Sequence, residues 1–411
     1  MINMRSSGRP RRRTMASLAG LGLAVLGLAA TACGPNSAAS QTDTYGLSGT
    51  PITIGVIADV TGPTGQSEAS AAKVFQAWAT YTNQTGGVAG HPVKVVVYDT
   101  KEDSPTAVSA ARKLIADSSV DAVVSANDNT EEAIGTVLAS SNLPVVGGEG
   151  YSPNIWGKLK HWFGITTTFP QVVNMQIAAA QPVNASTLSV LACAESPACS
   201  AAVPLFTAAA KAANKGYAGT FQVSASAPSY TAQCLSLIND KVQYAQLAVA
   251  ASVGTRVAQQ CQTQGYTGYF GSSSASVAPA LYNTPNIKLA GGLNAFPWYV
   301  DTPAVQTYRT AMSKTGVAEA DWAQPTSTAL WATGELFKKA LAAEVPKASD
   351  AVSRQTVLDA YGKIKNETLG GLLPQPISFS ADQPAAQVTC YWLYQFQDGK
   401  FAGSATPACG S

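Results

Sequence analysis

The chain has 411 residues, 46% hydrophobic and 12% charged, with no low-complexity block. That is the composition of a folded globular protein too long for one ordinary core, so two domains are expected. The formal net charge of +2 arises at the start: Arg5, Arg9, Arg11, Arg12 and Arg13 precede every acid, and the other 21 bases face 24 acids, a net charge of about −3 that excludes a basic nucleic-acid footprint.

Residues 1–32 have the order of a secretory signal: a basic start, an apolar stretch from Leu18 to Ala32, then small residues. The apolar stretch is short for a membrane span, although a single anchor helix is the competing reading. Ala30, Thr31 and Ala32 before Cys33 and Gly34 resemble a bacterial lipobox, with Ala30 where that pattern usually has Leu. Cys33 is therefore expected to carry lipid, and ordinary cleavage is the alternative. Arg12-Arg13 followed by Met15-Ala16 fits a twin-arginine signal poorly. Residues 33–50, rich in Ser, Gly and Thr, form a plausible tether.

Pro51 to Ile57 reads as a first strand, with the loop Asp59 to Gly65 at its carboxyl end and a helix starting near Ser67 and Glu68. Val74, Trp78 and Tyr81 form an apolar stripe on that helix, best explained by core packing. Thr85 to Gly90 ends it. Val93 to Tyr98 is a second strand ending at Asp99, and a helix runs from Ser104 or Pro105 to Ile115. Val120 to Val124 is a buried strand, followed by helical spacing at Ile134, Val137 and Leu138 and by another strand over Leu143 to Val146. Gly164 to Thr168 is extended and polar, suited to a crossing between domains.

Alternation then resumes. Strands are expected at 188–192, 220–224, 247–251 and 268–271, and helices at 201–214, 230–239 and 255–264. Leu289 to Leu293 reads as another crossing. Helices follow near 305–314, 326–344 and 354–361. Val388 to Phe396 alternates and is aromatic, with a hairpin-type turn at Asp398-Gly399. The grammar is that of α/β structure, two doubly wound lobes with parallel sheets.

Cys33 aside, the cysteines are Cys193, Cys199, Cys234, Cys261, Cys390 and Cys409, an even number that in an exported protein suggests three disulfides. Six cysteines allow 15 pairings. Sequence proximity favours Cys193–Cys199 and Cys390–Cys409, leaving Cys234–Cys261. A metal site is disfavoured: there is no CxxC, and His91 and His161 are far apart.

Taken in order, Ile54-Gly55-Val56, Thr61-Gly62-Pro63, Gly86 to Gly90, Tyr98-Asp99, Asp103 to Lys113, Val120 to Val124, Leu143-Pro144-Val145, Pro153, Gln260 to Gly265 and Gly370-Gly371 resemble the branched-chain amino-acid-binding family. These are type I periplasmic binding proteins that serve ABC importers. The resemblance spans Pro51 to Phe401 and implies two lobes joined by a three-segment hinge, near 164–168, 291–296 and 371–379. Residues 51–163 with about 294–372 would form one lobe, and about 164–293 with 373–411 the other. Hinge closure would bury a small solute between them. The implied setting is the outer face of the cell membrane, with lipid on Cys33, importer membrane subunits as partners, a monomeric chain and no cofactor.

The family's site residues lie after strands. In the first lobe these are Gln66, then Asn127, Asn129 and Thr130, then Glu149, Gly150, Tyr151 and Ser152. A helix start near Asn129 would offer free N–H groups to an anion. The sequence from Asn129 to Glu132 also has the form of a capping box, and Glu131 and Glu132 already answer the helix dipole. Gly150 would let backbone approach a ligand, while Tyr151 or Ser152 would offer a hydroxyl. In the second lobe Glu195, Ser196, Ser252 and Ser273 are expected at the cleft. Amino-acid binders of the family carry an acid after the 268–271 strand, where this chain has Ser272 to Ser274; Glu149 or Glu195 is available in its place. An amide, a short acid or an aromatic acid is thus as much expected as an amino acid. Trp156, Trp162, Trp298 and Tyr299 could line an aromatic pocket or pack the core and hinge.

Two other functions use the same scaffold. A sensor lobe for a signalling partner shares the fold. A hydrolase would need a nucleophile, a base and an orienting group, yet GxSxG, GxGxxG and a Walker loop are all missing from the sequence.

Overall fold

A computed structural model of the chain describes residues 45–62, 65–126, 130–194, 197–380 and 382–410. The signal, lipobox cysteine and most of the tether lie outside these, as do Asn127, Asn129, Glu195 and Ser196.

β1 (Ile52–Ala58) is buried along its whole length because it lies inside a sheet covered on both faces. Its alternation sorts side chains to two cores. Ile52, Ile54 and Val56 face one core, and Ile57 faces the other with Leu114 and Ile134. α1 (Gln66–Gln84) leads to the half-buried edge strand β2 (Val93–Asp99), and α2 (Ser104–Ala116) to β3 (Val120–Ala126). α3 (Glu131–Ala139), β4 (Val145–Glu149) and the two-residue β5 (Trp162–Phe163) complete a parallel sheet in the order β2-β1-β3-β4-β5. β3 and β4 approach closely at Gly148, where a Cβ would lie 1.9 Å from the Ser125 carbonyl oxygen.

α4 (Phe169–Ala178), absent from the sequence expectation, follows the extended 164–168 segment. Pro170 in its first turn suits a helix start, where no N–H is needed. β6 (Thr187–Cys193), α5 (Pro197–Ala212), β7 (Gly216–Val223), α6 (Thr231–Asn239), β8 (Tyr244–Ala248), α7 (Ala251–Thr263) and β9 (Tyr269–Gly271) repeat the strand–helix grammar. A short α8 (Pro279–Tyr282) precedes β10 (Leu289–Leu293). β10 is a buried strand, parallel to β9 and antiparallel to β11 (Cys390–Gln397). Two glycines lie within it. A Cβ at Gly291 would lie 1.6 Å from the Ser272 carbonyl oxygen and one at Gly292 2.0 Å from Met175, so close packing, not turning, requires them. β12 (Lys400–Gly403) and β13 (Ala408–Cys409) pair with β11, giving the order β12-β11-β10-β9-β8-β6-β7.

Between β10 and β11 the chain returns to the first sheet as α9 (Pro303–Thr315), α10 (Glu319–Trp322), α11 (Pro325–Glu344) and α12 (Arg354–Gly362). α11 lies along α1: Gly334 faces Trp78, whose indole N–H donates to Glu335 at 3.0 Å. Val74 and Trp78 are fully buried, as core packing requires. Arg354 on α12 donates to the carbonyls of Leu114, Ile115, Asp117 and Val120, placing a cation on the open carbonyl end of α2.

Both sheets therefore have the doubly wound order second-first-third-fourth-fifth in their parallel strands, and each belongs to one lobe of an α/β fold. Among the described residues there are three disulfides: Cys193–Cys199, Cys234–Cys261 and Cys390–Cys409. They link β6 to α5, staple α6 to α7, and join β11 to β13.

Candidate functional site

In open α/β sheets, ligands bind beyond the carboxyl ends of the strands, beside the point where the strand order reverses. In the first lobe those ends carry Asp59 after β1, Thr130 before α3 and Glu149 at the end of β4. Asp59 is fully buried, and both Thr100 and Thr130 donate their hydroxyls to its Oδ1, the latter at 3.3 Å. Thr130 thus does not cap α3 with its side chain.

Glu131 turns back from α3 instead of lying in solvent. Its carboxyl accepts the Tyr151 N–H at 2.9 Å, the Ser152 N–H, and the Trp156 indole N–H at 2.7 Å. Burial pushes its pKa up to about 7 against those three donors, with a further push from Glu132. Glu132 accepts the Ser152 hydroxyl. Together these two acids hold the 150–152 loop on the start of α3. Gly150 is small for that reason: a Cβ there would lie 2.0 Å from the Trp156 indole nitrogen and 2.4 Å from Glu131. Gly150 and Ser152 are both engaged in this internal brace.

Glu149 is 4% exposed, and its Oε1 accepts the Tyr151 hydroxyl at 3.0 Å and the Asn294 amide N–H at 3.1 Å. Burial pushes its pKa up to about 7 as well. Asn294 directly follows β10, so this contact joins a strand end of the first sheet to one of the second. The Tyr151 ring packs against Val172, Met175 and Tyr391 of the second lobe, and the Phe169 N–H donates to its carbonyl at 2.8 Å. Tyr151 is therefore an aromatic wall between lobes, with its hydroxyl on Glu149.

On the second lobe, Ser273 is buried, accepts the Gly292 N–H at 3.0 Å and donates its own N–H to Ser276 at 2.9 Å. It ties the end of β9 to β10. Ser252, on the first turn of α7, and Gln66, on the first residue of α1, are exposed. The structure brings Glu149, Tyr151 and Ser152 together with Glu131, and keeps Ser252 and Gln66 at the surface. Trp156 and Trp162 meet edge to face inside the first lobe at 5.2 Å between centroids. Trp298 and Tyr299 instead line an open groove of about 690 Å³ with Tyr282, Phe396 and Phe401.

Asp59 and Asn294 escaped the sequence reading as site residues. Asp59 had a signal, as the first residue of the loop after β1. Asn294 gave no local signal, because its partner Glu149 lies 145 residues earlier in the chain. Among the described residues there is no cluster of metal-ligating side chains, and no helix is long and apolar enough to cross a membrane.

Two doubly wound lobes, with polar residues gathered where their strand ends meet, define a two-lobed ligand-binding receptor fold. The chain belongs to the periplasmic binding protein family, whose model matches residues 51–400. Solved structures agree on the type I fold. A branched-chain amino acid ABC transporter protein from Thermus thermophilus with bound valine superposes with a TM-score of 0.74 at 14% identity, over 89% of this chain and 98% of that one. A fatty acid ABC transporter substrate-binding protein from Thermomonospora curvata gives 0.69 at 18% identity, over 89% and 96%. A leucine-binding protein from Thermotoga maritima gives 0.67 at 15% identity, over 86% and 97%. No protein of curated function matches the sequence significantly.

Proposed function

We propose that this chain is an extracytoplasmic receptor that captures a small polar solute, an amino acid, amide or organic acid, between its lobes and presents it to the membrane subunits of an ABC importer. The observation that carries the reading is the Glu149–Tyr151–Asn294 cluster, in which buried Glu149 and Asn294, from strand ends of both sheets, meet half-buried Tyr151. Buried polar groups at such a junction are costly unless they serve packing specificity or a ligand. Family membership supports the transport setting. Residues 51–163 and about 294–372 act as one closing body, 164–293 and 373–411 as the other, and lipid on Cys33 holds the monomer at the outer face of the membrane. No catalytic step is assigned.

A thermal-shift screen of amino acids, amides, and short and aromatic acids tests the reading. A captured solute at a hundredfold excess over its Kd adds about 2.7 kcal/mol to stability. If no small solute raised the melting temperature, the receptor reading would fail.

A further inference from the structure

We infer that the chain pairs with a second copy of itself by antiparallel addition of β2 to β2 about a twofold axis at Val96, which joins the two first sheets into one. Solute capture stays a property of each single chain, so the inference goes beyond the receptor reading and can fail without it.

Among the described residues the margins of the two sheets are β2, β5, β7 and β12, and all but β2 are blunted. β5 is two residues long, and β12 is four, with Lys400 exposed at its start. β7 carries a bulge: Leu188 and Val190 of β6 face Tyr217 and Thr220, so Ala218 and Gly219 oppose a single residue, and Gly219 has a φ of +120°. Short strands, lysines and bulges keep a sheet margin from pairing with another chain. β2 is blunted by neither length nor bulge. Its seven residues pair with β1 without a register shift, contain no proline and include Val93, Val95, Val96, Val97 and Tyr98, all good strand formers.

Its hydrogen bonds show what a further strand would meet. Successive residues of a strand turn their N–H and C=O to opposite sides. The Pro92 carbonyl accepts from Ile52 and the Thr100 N–H donates to Ala58, so the even-numbered residues face β1 and the odd-numbered ones face outward. Val93 is already satisfied there by Asn83 of α1, which accepts its N–H at 2.7 Å and donates to its carbonyl at 2.9 Å. Val95 and Val97 have no such partner among the described residues and stand as two adjacent open sites.

With Val96 opposite Val96, Val95 of one copy exchanges both of its bonds with Val97 of the second copy, and the twofold axis repeats the exchange. Shifting the register by two residues sends Val97 onto the capped Val93, or runs Val95 into Asp99, where the strand ends and the Lys101 N–H turns back on the Asp99 carboxyl. The side chains match in the same register. Tyr98 packs on the core that holds Leu114 of α2, and Val95 and Val97 pack on the other. On the α2 face Lys94 therefore falls opposite Tyr98 of the second copy, and on the other face Val95 falls opposite Val97. The one base and the one acid of β2, Lys94 and Asp99, lie near opposite ends, so antiparallel pairing keeps like charges apart. A hollow of about 310 Å³ beside Tyr98, lined by Asp99 and by Pro105, Thr106, Ser109 and Lys113, leaves room for the incoming Lys94 stem. A contact confined to one strand is small, so the pairing belongs to high chain concentration.

Sedimentation equilibrium of the chain at rising concentration should show its mass moving from 42.3 kDa toward twice that value. Val95→Pro removes an outward N–H that β1 does not use, so the fold is kept, as a melting curve would show, while the dissociation constant of the dimer should rise about tenfold or more. Val96→Cys sets two thiols opposite each other across the axis and should give a disulfide-linked dimer on mild oxidation. Val95→Cys, offset from its own counterpart, should not. A chain that stays monomeric up to about 1 mM overturns the inference. So does a dimer that is indifferent to Val95→Pro or fails to cross-link through Val96→Cys, since either result puts the contact elsewhere. If Val95→Pro does not fold, the two cysteine variants decide. Each of these outcomes leaves the solute screen, and with it the receptor reading, untouched.

Discussion

Two glutamates show how much a single side chain can mean in this fold. Glu131 and Glu149 are acids whose folded pKa is raised by burial from 4.5 to about 7. Below pH 4.5 both the folded and unfolded chains hold these protons. Between 4.5 and about 7 only the folded chain does, so stability falls as pH rises, by about 1.4 kcal/mol per pH unit for each group. Above that window both states are ionised and the loss is complete. Asp99, Asp103, Asp117 and Glu367 are shifted downward, and their stabilising effect is lost only in more acidic solution. Urea unfolding across the window should therefore show a negative slope, made shallower by Glu131→Gln and again by Glu149→Gln. A profile that rises with pH there would contradict the burial of these acids. Gly148 makes a sharper point, since its φ of +101° and the Ser125 carbonyl both exclude a side chain. Gly148→Ala should cost at least about 2 kcal/mol in denaturant unfolding. Gly219, also at positive φ but with nothing within 4 Å, is the control and should cost less on substitution to Ala.

Elements are held by few staples, placed where helices would otherwise rely on shallow contact. α6 is only nine residues, and its fully buried Cys234 is bonded to the fully buried Cys261 of α7, 27 residues on. Replacing both with Ala removes the cross-link and leaves two small voids. The expected loss is about 2–4 kcal/mol, read as a lower denaturant midpoint. The Cys390–Cys409 bridge closes a shorter segment on a sheet margin, where Cys409 is exposed. Its removal should cost less, and equal losses for the two pairs would show that loop length and burial do not set the effect here. Helix α4 shows the limit of reading elements one at a time. Phe169 to Ala178 has a weak stripe, and Val172 and Met175 make sense only once Tyr391 and Tyr151 are placed against them.

At the scale of the whole molecule, the lobes already touch in this structure through Tyr151 against α4 and β11, Glu149 on Asn294, and the Tyr282 hydroxyl on the Ala323 carbonyl at 3.1 Å. Ligand capture by hinge closure should tighten this junction. Small-angle scattering with and without a stabilising solute should show a smaller radius of gyration in the bound state. An unchanged radius beside a clear thermal shift would mean that binding does not depend on lobe movement.

Much of this was legible in the amino-acid order alone. Runs such as Val120 to Val124 and Leu188 to Ala192, apolar apart from Asp121 and Ser189, point to buried parallel strands, because a sheet covered on both faces takes apolar residues at successive positions. Cysteine spacing also pointed to the pairing found. What local sequence could not decide was anything that depends on a neighbour distant in the chain. Gly291 and Gly292 show no reason for being glycine until Ser272 and Met175 are brought against them. Glu131 looks like a dipole-answering surface acid until Trp156 and the 150–152 loop fold over it. Asn294 acquires a role only when β10 brings it 3.1 Å from Glu149, 145 residues earlier in the chain. Periodicity is a local property of the chain and determines strands and helices. The burial of a polar side chain is set by what packs above it, and that was decided only when the two sheets came together.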